Sequence, residues 1–198
     1  MNVIRVVSDG FGENTYVVTT PEGIIIIDPG TSLKTIRKEA VIKEEDIKYV
    51  LLTHGHYDHI TCIDEYEPGK IYAHTAEKKL LENPSINLSA MAGEGISARG
   101  INYYEGDVHE TDPAVFYHVP GHTAGCVVIK IGSMLFTGDT LFFDTVGRTD
   151  LPTGSTNRLK ESLKVFEGFD RSITCYPGHG EEFTLEEAYK TNYFLKKP

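Results

Sequence analysis

The segment Thr53-His54-Gly55-His56-Tyr57-Asp58-His59 places four ligand-type side chains within six positions. Imidazole nitrogens and carboxylate oxygens without thiolate suit zinc, iron or manganese. Four such groups so close in sequence do not all reach one ion from a regular strand. On a tight turn they split into two sets, His54 with His56 and Asp58 with His59. Taken alone, a histidine-rich loop also reads as a solvated segment that binds metal weakly. Three further candidates alter that balance: His122 in Pro120-Gly121-His122-Thr123, Asp139 in Thr137-Gly138-Asp139-Thr140, and His179 in Pro177-Gly178-His179-Gly180. Each follows an apolar, strand-like run and sits beside glycine, where a loop can bring a side chain close to an ion. One such residue is usually structural; strand-end loops that all carry ligand types are hard to assemble by accident.

The elements that must position these residues follow from the apolar pattern. Val3–Val7, Thr15–Thr20 and Gly23–Ile27 read as strands separated by Gly-Glu-Asn and Pro-Glu-Gly turns. The run Ile24-Ile25-Ile26-Ile27 is apolar on both faces, as a central strand must be, and ends at Asp28. Leu33–Ala40 reads as a helix with Thr31 or Ser32 as cap. Lys48–Thr53 is a strand that runs straight into the histidine cluster. Lys70–Ala73 follows as a strand and Thr75–Glu82 as a helix capped by Thr75. Residues 84–100 have weak periodicity and read as short helices and loop. In the second half, Ala114–Val119, Cys126–Ile131, Met134–Thr137 and Ser172–Tyr176 are strands, and Asn157–Phe166 is a helix. Leu185–Leu195 closes the chain as a helix with Thr184 as cap and Glu187 in capping-box position. Strand hairpins with interspersed helices suggest two sheets with helices outside, a four-layer α/β arrangement. No repeat, low-complexity tract or linker marks a boundary, so the 198 residues read as a single domain.

Composition narrows the function. There are 19 Lys and Arg against 29 Asp and Glu, a formal net charge of −10. That balance repels phosphate backbones and anionic lipid, which disfavours nucleic-acid and membrane partners. No apolar run approaches the ~20 residues of a membrane span, and the first residues lack the long apolar core of a signal peptide. Cys62, Cys126 and Cys175 are an odd number at no metal-knuckle spacing, which fits a reducing, cytoplasmic setting and apolar packing. Among the remaining histidines, His74 reads as a neighbour of the site or a core edge, and His109 and His118 as structural or exposed.

In order along almost the whole chain, THGHYDH, PGHT, TGDT and PGHG resemble the metallo-β-lactamase fold superfamily. The resemblance implies its four-layer αβ/βα sandwich and two divalent metal ions, with zinc first and iron or manganese as alternatives. It further implies that His54, His56 and His122 hold one ion, that Asp58, His59 and His179 hold the other, and that Asp139 bridges them. Asp28 resembles the family aspartate that orients a metal-bound imidazole, and reads equally as a strand-end turn residue.

Two metals that share a water lower its pKa, so hydroxide becomes available near neutral pH to attack a polarised carbonyl. Asp58 could hold the proton as the intermediate collapses. A thiolate leaves without much protonation, so a small-molecule thioester is an undemanding substrate. Gly138-Asp139-Thr140-Leu141-Phe142 followed by Val146-Gly147-Arg148-Thr149-Asp150-Leu151-Pro152 is most similar to the glyoxalase II-like, hydroxyacylglutathione hydrolase branch. There the basic residue after the glycine helps hold glutathione, which implies Arg148 as a substrate contact; an arginine braced by Asp150 is the plainer reading. The chain departs from full-length glyoxalase II, since about 19 residues follow His179 and leave no room for the C-terminal helical extension. It is similar to the shorter forms. Persulfide dioxygenases share the fold, with one iron on His56, His122 and Asp139, but the Tyr176–Gly180 motif looks more like the hydrolase version. Lactonase or other ester hydrolysis would use the same hydroxide.

Overall fold

The computed structural model describes residues 1–196. The chain divides into two compact units, one of Met1–Ala73 and Lys78–Tyr103, the other of His74–Glu77 and the chain from Tyr104 onward.

The first unit is built on a six-stranded sheet in sequential order: β1 (Asn2–Val7), β2 (Asn14–Thr20), β3 (Gly23–Ile27), β4 (Ile47–Leu51), β5 (Ile71–His74) and β6 (Ile101–Tyr104). β1, β2 and β3 pair antiparallel, whereas β3, β4 and β5 are parallel. The four isoleucines of β3 behave as their pattern requires. Ile24 and Ile26 pack with Leu33 and Ile36 of the helix Leu33–Ala40, and Ile25 and Ile27 are fully buried on the opposite face. Ser32 caps that helix by accepting from the Thr35 amide.

The second unit carries β7 (Val108–Thr111), β8 (Ala114–His118), β9 (Val127–Ile131), β10 (Met134–Gly138), β11 (Thr174–Pro177) and β12 (Phe183–Thr184), again in sequential order. β7 through β10 are antiparallel, β10 and β11 parallel. β8, β10 and β11 therefore run in one direction. Val128, Leu135 and Cys175 form its core with Leu163, Phe166, Leu185 and Ala188.

Several expectations need correcting. Thr75–Glu82 is not one capped helix: Thr75–Glu77 is a 3-10 turn followed by the short helix Lys78–Leu81. The His74 ring, not Thr75, meets the turn, its Nδ1 accepting from the Ala76 amide at 3.2 Å. The helix expected over Asn157–Phe166 is α-helical only over Thr156–Ser162 and tightens to 3-10 over Leu163–Gly168. The expected Leu185–Leu195 helix has its Thr184–Glu187 capping box, but ends at Thr191 and resumes at Tyr193. Asn192 causes the break. Its fully buried side chain donates to the carbonyls of Phe142 (3.1 Å) and Thr145 (2.8 Å) and accepts from the Phe194 amide. No helix among the described residues is long and apolar enough to cross a membrane.

Asn192 thus ties the C-terminal segment to the loop after β10. Asn192→Ala leaves three backbone groups without their partner and should lower unfolding free energy by about 2 kcal/mol, at the usual cost of unsatisfied buried groups. Urea denaturation at pH 7 measures this.

Candidate metal centre

In the first unit the site begins at Asp28, where β3 ends. The residue sits at φ 50°, in the left-handed region that a non-glycine side chain enters at some cost. Three hydrogen bonds converge on its buried carboxylate and offset that cost. The Thr53 amide donates to Oδ1 at 2.7 Å, the Thr53 hydroxyl to Oδ2 at 2.5 Å, and His59 Nδ1 to Oδ2 at 2.9 Å. Parallel pairing of β3 with β4 brings Thr53, just past the end of β4, against the end of β3.

These bonds set the protons on the histidines. His59 Nδ1 carries the hydrogen, so Nε2 offers a lone pair. The Thr53 hydroxyl has given its proton to Asp28, so it can only accept from His54 Nδ1, 3.2 Å away. His54 Nε2 is thereby left as a lone-pair donor too. Asp28, His54 and His59 are all buried and each brings a possible ligand atom within 4.8 Å of the others. His56, buried, lies edge-on to His54 with ring centroids 4.9 Å apart. It stands at the start of the short helix Tyr57–Ile60, which carries Asp58 and His59. Asp58 Oδ2 is 4.0 Å from His59 Nε2, and Asp58 keeps 18% of its side chain open.

In the second unit the candidate residues stand at the ends of its co-directional strands. His122 follows β8, Asp139 follows β10 and His179 follows β11. His122 Nδ1 donates to the Arg148 carbonyl at 2.7 Å, which leaves Nε2 as its lone-pair nitrogen. That Nε2 lies 3.6 Å from Asp139 Oδ2, and His179 Nε2 lies 3.8 Å from the same oxygen. Both separations are too long for hydrogen bonds. They suit donors that share an ion instead, since two ligand bonds of ~2.1 Å at a tetrahedral angle hold their atoms roughly 3.4 Å apart. Gly147 makes this approach possible: a Cβ there would lie 1.9 Å from the Asp139 carbonyl and 3.0 Å from His122 Nδ1. Imidazoles whose lone pairs are set at His54, His59 and His122, with the Asp139 carboxylate near His122 and His179, form a donor set that fits divalent metal ions.

The Arg148 side chain is engaged at the surface. Its guanidinium holds Asp150 through two bonds of 2.8 and 2.7 Å, and both side chains are exposed. The pair keeps the Asp150 carboxyl at about 2. Arg148 and Lys160 border a cavity of about 250 Å³ whose apolar wall includes Leu159, Leu163 and Phe194.

Two buried carboxylates were not singled out by the sequence. Glu13, read there as a turn residue, is fully buried with the Thr15 hydroxyl beside it, and burial drives its carboxyl well above the usual range. Glu77, also buried, bonds the loop that follows His122. Nothing in a Gly-Glu-Asn turn or a Thr-Ala-Glu helix start marks either position. His74 stacks on His118 with centroids 3.9 Å apart, and His118 Nε2 donates to the Ala124 carbonyl. His109 stacks on Tyr104. Cys126 and Cys175 are buried in the core, while Cys62 is half-buried, and all three thiols are free.

Residues 8–179 match the metallo-β-lactamase superfamily. The chain belongs to that superfamily. Its fold is the metallo-β-lactamase fold, and its His/Asp cluster is that of a metal-dependent hydrolase. Among similar proteins is the Streptococcus pyogenes protein named Probable metallo-hydrolase M6_Spy0554, 30% identical over 98% of this chain and 90% of that one. Another is Hydroxyacylglutathione hydrolase GloC of Haemophilus influenzae, 28% identical over 98% of each chain. The crystal structure of TTHA1623 in a di-iron-bound form superposes with a TM-score of 0.85 at 29% identity, covering 98% of this chain and 100% of that chain.

Two outcomes follow. Asp28→Asn replaces an acceptor facing His59 with a group that can present N–H instead; metal affinity, read by chelator competition, should fall about 10–100-fold. Burial, followed by the neighbouring His118, holds His74 at about 4 instead of 6.5. As pH falls, the unfolded chain therefore takes up this proton first. The stability it contributes is whole above about pH 6.5 and is lost on the way down to about 4. The urea midpoint should drop between pH 7 and pH 5, and drop less in His74→Asn, whose amide oxygen can still cap Ala76.

Proposed function

We propose that this metallo-hydrolase is binuclear and cleaves a small-molecule thioester of the S-2-hydroxyacylglutathione class. The observation that carries the binuclear reading is the Asp139 carboxylate oxygen, 3.6 and 3.8 Å from the Nε2 atoms of His122 and His179. In this reading His54, His56 and His122 serve one ion, Asp58, His59 and His179 the other, and Asp139 both. When bound, the ions (zinc first, iron or manganese as alternatives) would supply Lewis acidity and a water of lowered pKa. TTHA1623 in its di-iron form makes iron a real alternative.

The chain's own residues supply the rest. Asp28 and Thr53 hold the imidazoles of His59 and His54 in the tautomers that ligation needs. Asp58, the more open of the acids beside His59, can take up a proton as the carbon–sulfur bond breaks. The departing thiolate is a weak base, so the chain needs no separate strong acid. Arg148, with Lys160 near it, offers positive charge to the carboxylates of a glutathione-like thiol. The 28% identity to GloC over nearly the full chain supports the thioester class. The net charge of −10 supports a small substrate over nucleic acid or membrane.

Metal analysis of the purified protein, hydrolysis of S-lactoylglutathione and oxygen uptake on glutathione persulfide test this together. About two metals per chain and thioester cleavage that is abolished in His59→Ala are expected. Arg148→Ala should raise KM about tenfold with kcat nearly unchanged, the mark of a residue that only binds substrate. One iron per chain, oxygen consumed and the thioester untouched would overturn the hydrolase in favour of a dioxygenase on His56, His122 and Asp139.

A further inference from the structure

The loop Pro120–Cys126 is fastened from several sides. Its His122 ring is turned by the Arg148 carbonyl, but a ring can be aimed only as well as its backbone is placed. That backbone is held by a residue 45 positions earlier in the chain. Glu77 is 1% exposed, and its Oε1 accepts from the Thr123 hydroxyl and from the Gly125 amide, each at 2.6 Å. Both bonds are short, as charge-assisted bonds to a carboxylate are.

The protons around Thr123 run in one direction. Its hydroxyl hydrogen goes to Glu77, so the oxygen can only accept from the Cys126 thiol, 2.9 Å away. The Thr123 amide in turn donates to the Cys126 sulfur at 3.3 Å. A Cβ on Gly125 would lie 2.6 Å from the Glu77 nitrogen and 2.9 Å from the Ala76 carbonyl carbon. Glycine is what lets the turn of Glu77 press onto the loop. Thr123 and Gly125 thus place two buried donors beside His122, and Glu77 Oε1 meets both.

We propose that Glu77 is a positioning residue of the metal centre, its carboxylate fixing through Thr123 and Gly125 the backbone from which His122 reaches Asp139. This rests on the reading of His122 as a metal ligand. Without the carboxylate, two buried donors lose their partner, the loop relaxes, and His122 Nε2 drifts from the Asp139 oxygen it now approaches at 3.6 Å.

The test compares Glu77→Ala, Glu77→Gln and Thr123→Val in the full chain with the wild type. Two quantities are read: the imidazole 15N and 1H NMR shifts of His122 in metal-free protein, and zinc affinity by chelator competition. Glu77→Ala should move the His122 resonances, leave those of His59 in place, and weaken zinc binding about 10–100-fold. Glu77→Gln, whose carbonyl oxygen can accept both bonds, should restore both readings. If Glu77→Ala does not fold, Thr123→Val, which removes one donor and keeps the carboxylate, should still move the His122 resonances. Unmoved His122 resonances in the folded variants, or a Glu77→Gln variant as impaired as Glu77→Ala, overturn the proposal. A wild type that binds no zinc overturns the ligand reading instead, and the His122 shifts still decide the role of Glu77.

Discussion

A carboxylate removed from water survives only where donors meet it, and the first unit is organised around one such group. Asp28 ends a strand of four buried isoleucines in a left-handed conformation. A backbone strained in this way persists only when its surroundings over-determine it. Here the over-determination is chemical. The Thr53 amide, the Thr53 hydroxyl and the His59 ring converge on two oxygens, and each bond also fixes something the site needs. The amide sets where the chain leaves β4. The hydroxyl, with its proton spent, forces His54 into one tautomer, and the ring bond does the same for His59. One buried charge therefore couples strand pairing, loop geometry and ligand protonation.

The second unit solves the same problem with backbone instead of a charged side chain. Its three candidate positions stand after strands that run in one direction, so their side chains gather at one end of the sheet. The Arg148 carbonyl sets the His122 tautomer where Asp28 sets that of His59. Carbonyls are available to any sequence, provided a segment can come close enough. Gly147 meets that condition, and its missing side chain is as much a part of the ligand geometry as any donor atom.

How much of this was legible in the sequence depended on where the information lies. The candidate positions His122, Asp139 and His179 stood out because residue type, an adjacent glycine and a preceding apolar run coincide at each of them. The isoleucine strand and the Thr184–Glu187 box were legible because both are local patterns. The departures are cases where a side chain serves a distant partner. Asn192 breaks a well-patterned helix to bond a loop about 50 residues away. His74 takes over a capping role from the better-suited Thr75 because its ring is already buried against His118. The strands β6 (INYY) and β7 (VHET) carry fewer non-aromatic apolar residues than the equally short β5 and β11 with their flanks, and β12 has only two residues. Glu13 and Glu77 look like surface acids in sequence; only tertiary contacts reveal that they are buried.

The segment His74–Glu77 is a four-residue excursion: the chain leaves the first unit, contributes to the second, and returns before the second unit's own sheet begins. Glu77 leaves the ribosome well ahead of Thr123 and Gly125, which lie 46 and 48 residues downstream. The link it makes closes a long loop and so belongs among the late, entropically demanding contacts of folding. The same excursion means that no single cut in the chain separates the two units. A cut at Tyr104 would give a downstream half that keeps His122, Asp139 and His179 but lacks the acid bonded to its histidine loop.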